Sequence, residues 1–97
     1  MAHSAVVYEY GLDTQQLNVQ HGNDHVAFLQ RLMDDGILCL SGRLDMDGRT
    51  GALLVLAVDA ECALRCLDDD PFWTAGVVAD RRVWPWNVVF GADRLAC

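Results

Sequence analysis

Residues 52–58, Ala-Leu-Leu-Val-Leu-Ala-Val, are apolar at every position. A strand wet on one face alternates apolar with polar side chains, so an unbroken run fits a strand covered on both faces. Seven residues are far too few to span a bilayer. Whatever sheet contains this run needs an apolar layer above it and another below it.

The rest of the chain supplies material for one such layer. Residues 4–10, rich in β-branched and aromatic side chains, read as a strand ending at Gly11. Leu12 to Gly22 is polar, carries three glutamines and reads as a loop with room for a helical turn. From His25 onward Val26, Phe28, Leu29, Leu32 and Met33 recur at three and four, after Asn23 or Asp24 as a cap, which predicts an amphipathic helix closed by Gly36. Ile37–Leu40 resumes strand character as far as Ser41-Gly42. A turn over 45–51 then leads into the apolar run as a hairpin. Asp59 opens a second helix through Leu67, and Asp70-Pro71 opens a short further turn of helix stopped by Gly76. Arg82–Phe90 reads as the last strand, with Pro85 requiring an edge or a bulge there.

The order β-α-β-β-α-β is that of a ferredoxin-like α+β sandwich, in which both helices cover one sheet face. The second face is then open, yet the third strand is apolar on both. A second copy of the same sheet is the simplest cover, so the sequence predicts a homodimer, or a higher even oligomer, that stacks sheets. Composition agrees: 53% of the 97 residues are apolar, more than one small domain of 1–97 hides alone.

Charge narrows the partners. Fourteen acids face seven bases, all arginine and scattered, for a net charge of −7. Nucleic acid and anionic membranes call for a concentrated basic patch, so neither is expected. The N-terminus lacks the charged region and apolar stretch of an export signal, which makes the cytoplasm the expected compartment. Cys39, Cys62, Cys66 and Cys97 contain no CxxC pair and are expected as half-buried thiols.

Few residues can carry chemistry. His21 and His25 are four apart, but Gly22 and Asn23 between them argue against a continuous helix, and no third ligand sits at a recognisable spacing, so no metal is expected. Asp45-Met46-Asp47-Gly48 opens like a calcium loop but has Leu56 where a bidentate glutamate belongs. His25, read at a helix start, would be kept neutral by the dipole and could act as a general base, or it is simply a solvated residue there. Asp70 reads as the cap ahead of Pro71, or as the carboxylate that orients His25. Trp84 and Trp86 share a strand face and read as packing or dimer seam, whereas Trp73, close to Asp70, reads as a substrate wall.

The order of His25-Val26-Ala27-Phe28-Leu29 through Gly36, Ser41-Gly42, Asp70-Pro71-Phe72, Ala75-Gly76 and Trp84-Pro85-Trp86 resembles the YCII-related (YciI-like) family over about residues 4–90. That resemblance implies a dimeric α+β barrel and an active-site cleft holding a histidine and an aspartate, which match His25 and Asp70. It also implies chemistry on small ring compounds, since characterised relatives include a dehydrochlorinase of a chlorinated hydroxyquinol. Two departures stand out: His21-Gly22-Asn23-Asp24 lies where members often carry an arginine, and Gly42-Arg43 replaces Gly-Pro. Arg43 then either substitutes a positive charge at the cleft mouth or is a solvated loop residue.

The expectation is a small cofactor-independent enzyme, a lyase or isomerase, with His25 and Asp70 catalytic and Tyr8, Ser41, Arg43 and Trp73 binding a small cyclic or aromatic-derived metabolite. The alternative is a non-catalytic dimeric module for a small ligand or a partner enzyme. Contact between His25 and Asp70 at a pocket is what would favour the enzyme.

Overall fold

A computed structural model describes residues 2–95. Strands β1 (Ser4–Tyr10), β2 (Leu38–Met46), β3 (Arg49–Leu56) and β4 (Val78–Pro85) form one antiparallel sheet in the order β2-β3-β1-β4. Helix α1 (Gln15–Asp34) joins β1 to β2, and α2 (Ala60–Leu67) with the single-turn α3 (Pro71–Thr74) joins β3 to β4. This is the ferredoxin-like α+β arrangement that the element order predicts.

Local chemistry explains most boundaries. Asp59 caps α2 by accepting from the Cys62 amide at 2.8 Å, and Asp70 caps α3 by accepting from the Phe72 amide at 3.0 Å. The β2–β3 ladder runs to the pair Met46 and Arg49, leaving Asp47-Gly48 as a two-residue turn with φ of 36° and 83°. Positive φ at both positions is the type I′ geometry whose twist suits a hairpin. Pro85 ends β4, an edge strand, where its missing amide costs no ladder bond.

Several boundaries differ from expectation: the hairpin turn is Asp47-Gly48 alone rather than 45–51, so β2 runs on to Met46, and β3 spans 49–56 rather than 52–58. β4 spans 78–85 rather than 82–90, so Trp86 lies past the strand, although its amide still donates to the His3 carbonyl at 3.0 Å. The pairing of β1 with β4 starts at Tyr10 and Val78, and the apolar Val77-Val78 pair buries there, which draws the strand earlier. Helix α1 starts at Gln15, ten residues before His25, and Gly22 and Asn23 lie inside it. Those two residues cost roughly 1 kcal/mol or less each in a helix, which packing readily exceeds. Leu17 stands three turns ahead of Phe28 and packs with it, Leu29 and Leu32 against the core, so the apolar stripe begins earlier than His25.

The core lies between the sheet and its helices. Val6, Tyr8, Leu38, Ala52, Leu54 and Leu56 meet Ala63 and Leu67 of α2, Phe72 of α3 and the following Val77. No residue of α1 is fully buried. Full burial of a large apolar side chain contributes about 1.5–3 kcal/mol, so α1 is held less tightly than its neighbours and leaves a cleft beneath it.

Register distributes side chains between the faces. On the side away from the helices, the cross-strand pairs Leu40–Val55, Val55–Ala5 and Ala5–Trp84 form a continuous apolar row. Its ends are open, with Leu40 45% and Trp84 48% exposed, while Val55 is buried. A bulge between Leu38 and Leu40 sets which face β2 presents. Without it Ser41 and Arg43 would stand on this far side; with it they stand on the helix side, paired with Leu54 and Ala52.

Cys62 and Cys66 are free, half-buried thiols, as expected. Cys39 is disulfide-bonded instead, a connectivity that spacing alone does not reveal, and Cys97 lies outside the described residues. Among the described residues, no helix is long and apolar enough to cross a membrane.

Candidate active site

One row of the β ladder lays out the site. Arg43, Ala52, Tyr8 and Arg81 pair in sequence across all four strands on the helix side. Over the middle of this row sits the α2–α3 corner, which delivers Asp70, completely buried, above Tyr8.

Asp70 is surrounded by donors. The Tyr8 hydroxyl donates to Oδ2 at 2.9 Å, the Phe72 amide donates to Oδ1 at 3.0 Å, and His25 Nδ1 lies 2.7 Å from the same Oδ1. A carboxylate offers only acceptors, so the hydrogen in the last contact belongs to His25 Nδ1. That fixes the tautomer and makes Nε2 the ring nitrogen available to a ligand. The cap and the orienting carboxylate, read as alternatives for Asp70, are one group doing both. Burial, then the Asp70 charge, pushes the Tyr8 hydroxyl far above its ordinary range, which keeps it protonated and donating.

The imidazole is also clamped by its faces. His25 stacks on Phe72 with centroids 3.8 Å apart and planes 3° from parallel, and Tyr10 meets Phe72 edge-on at 5.9 Å. A ring held by one hydrogen bond could still swing about it; stacking removes that freedom.

The helix-dipole reason given for a neutral His25 does not hold. His25 lies in the middle of α1 rather than in its first turn, where the dipole has no local effect. What Asp70 and the stack supply instead is orientation of the ring. The break expected between His21 and His25 is absent too, since the helix is continuous. Among the described residues, no three His, Cys, Asp or Glu side chains gather where they could hold a metal.

His25 opens on a cleft of about 980 Å³ between α1 and the β2–β3 side of the sheet. Ser41 and Arg43 line it, and both are exposed. Tyr8 does not: it is buried behind Asp70, so it touches the carboxylate rather than a ligand. Trp73 does not either. Its ring lies under the Arg81 guanidinium at 3.8 Å, and Arg81 also donates to Asp68 at 2.9 Å and to the Leu64 carbonyl at 3.4 Å. Trp73 with Arg81 thus braces the segment that carries Asp70.

Among the cleft residues missed, Tyr10 and Phe72 matter most to His25. Tyr10 lines the cleft, and the signal was its place two residues after Tyr8 on the same strand face. Its hydroxyl is pushed up by burial and by Asp70, with Arg43 opposing, so it too is a protonated donor. Phe72, noted only within Asp-Pro-Phe, is the plate under the imidazole.

The YCII-related domain family model matches residues 3–87. No curated protein matches the chain. Among solved structures it is similar to 5-chloro-2-hydroxyhydroquinone dehydrochlorinase of Burkholderia phenoliruptrix, determined in complex with 2,5-dihydroxybenzoquinone. The TM-score is 0.73 at 19% identity, over 90% of this chain and 95% of that one. A likeness at that identity is one of fold.

Proposed function

The chain belongs to the YCII-related domain family, and from that premise we propose that it is a small-molecule enzyme in which His25, oriented by Asp70, moves a proton on a small cyclic compound. The observation that carries this reading is the 2.7 Å contact between His25 Nδ1 and Asp70 on the wall of a cleft. It favours an enzyme over a non-catalytic binding module, because a fixed tautomer and a buried carboxylate are what a general base needs and what mere binding does not.

In an elimination, His25 Nε2 takes a proton from a ring carbon. The C–H electron pair becomes a new double bond, and the leaving group departs with its own bond pair. Asp70 stabilises the imidazolium, which then returns the proton to water. In an isomerisation the same proton goes back to a different atom of the substrate. The name of the structural relative, a dehydrochlorinase, supports the first outcome. A panel of chlorinated and enolisable ring compounds, assayed for turnover and for deuterium uptake from heavy water, tests the reading. His25→Ala should lower the rate by about 100-fold or more while the fold is retained; turnover unchanged by that substitution removes His25 from the mechanism.

The whole chain is read as a single domain that pairs with a second copy through the apolar row Leu40–Val55–Ala5–Trp84. A two-fold dimer lays that patch on itself, which covers the exposed Leu40 and Trp84. Light scattering should give twice the chain mass, and Trp84→Asp should halve it. A monomer at micromolar concentration sinks this part.

A further inference from the structure

The cleft changes character along its length, with His25 at the change. Taken in order along α1, the lining residues before His25 are Gln15, Asn18, Gly22 and Asn23, all polar or glycine. After it come Val26, Leu29 and Met33, with Gln30 the one polar member. On the sheet, Tyr10 and Thr50 lie toward the start of α1 and Leu38 toward its end, with Arg43 in the row of Tyr8 and Ser41 beside Leu54.

Leu38 and Leu54 belong to the core, but Val26 and Met33 do not. Val26 is 64% and Met33 44% exposed, although both line the cleft and α1 has a core-facing stripe elsewhere. Large apolar side chains bordering an open cleft lose water only when something enters it. In the polar half, Arg43 gives Nε to Asp45 at 3.0 Å, and its terminal nitrogens have no hydrogen-bond partner among the described residues. The Tyr10 hydroxyl is a protonated donor beside it. Size argues in the same direction: a cavity of roughly 150 Å³ already holds a benzene ring, so a bare ring would fill only a small part of this cleft.

We propose that the ligand of this cleft is an amphipathic acid: its anionic oxygen is received by Arg43 and Tyr10, its apolar body lies along Val26 and Met33, and its middle is held against His25. The inference rests on the proposed function only in placing the reacting centre at His25. The rest follows from the two halves of the cleft. A small ring carrying an acidic oxygen at one end and an alkyl or aryl substituent at the other meets the description.

Straight-chain carboxylates from butanoate to decanoate, with octan-1-ol as the uncharged control, probe the division without undergoing reaction. Titrations of the intact protein are followed by the Met33 methyl and His25 ring resonances. Affinity should rise by about threefold per added methylene, somewhat below the fourfold of complete burial. Met33→Ser should flatten that dependence, and Arg43→Gln should weaken octanoate by about fivefold and erase its advantage over octan-1-ol. Equal affinity along the series, or a length dependence untouched by Met33→Ser, overturns the proposal. A normal series with failed turnover removes the base and keeps the ligand class, whereas a flat series with normal turnover does the reverse.

Discussion

His25 and Asp70, 45 residues apart in the chain, meet at 2.7 Å because a bare helix face and a capped corner converge over the same tyrosine. Asp70 supplies acceptors to three donors at once, so its replacement reaches beyond the histidine. Asp70→Asn keeps the shape but sets an NH₂ against groups that already donate. It should cost roughly 2–4 kcal/mol in urea denaturation and, by freeing the imidazole tautomer, about 100- to 10,000-fold in turnover. Nitrogen NMR of His25 should show the proton on Nδ1 in the parent and on both nitrogens in fractional amounts in the variant.

Tyr8→Phe removes a single donor and keeps the ring in place. The loss expected in chemical denaturation is about 1–2 kcal/mol. Since Tyr8 lies behind Asp70 and not on the cleft, kcat should fall while KM holds. A change confined to KM would return Tyr8 to the ligand-binding set.

Alkaline pH should unfold the protein through its two tyrosines. Each ionises near pH 10 when unperturbed, and in the fold both are held protonated above that, by burial first and then by the Asp70 charge. Above pH 10 the unfolded chain has released these protons while the native state keeps them, so the unfolded state gains. Stability is thus complete below about pH 10 and declines as pH rises beyond it. Tyrosinate absorbance should appear together with loss of the helical circular-dichroism signal; tyrosinate in a still-folded protein at pH 10 contradicts the expectation.

Two glycines predict opposite signs. A Cβ on Gly51 of β3 would collide with the Tyr8 carbonyl oxygen and come within 2.8 Å of the Met46 methyl, so Gly51→Ala should push β1 aside and cost about 1–3 kcal/mol. Gly22, inside α1, has nothing within 4 Å of the corresponding point. Gly22→Ala should stabilise by about 0.5–1 kcal/mol. Thermal melts of the two variants, shifted down and up respectively, check both.

Elements with strong local causes could be read from the chain. The Asp59 and Asp70 caps, a hairpin turn somewhere within 45–51 and the edge or bulge required at Pro85 each rest on a residue that acts within a few positions of itself. The start of α1 could not, since Gly22 and Asn23 signal a break that packing overrides. Trp73 misled for a related reason: proximity to Asp70 in the chain carries no information about which side of a one-turn helix faces the cleft.

The sequence by itself determined the strand and helix order and the apolar third strand, which follow from side-chain periodicity and local hydrogen bonding. The pairing of His25 with Asp70 came from the family resemblance alone, since spacing along the chain cannot bring residues 45 apart together. Only the tertiary structure decided what those residues touch. A one-residue bulge before Leu40 exchanges the two faces of β2, and thereby brings Ser41 and Arg43 to the cleft instead of the far side. Tyr8 became a support for Asp70 because the β1–β3 register sets it beneath the corner. Register and bulges are settled by contacts between distant segments, and no local pattern along one strand encodes them.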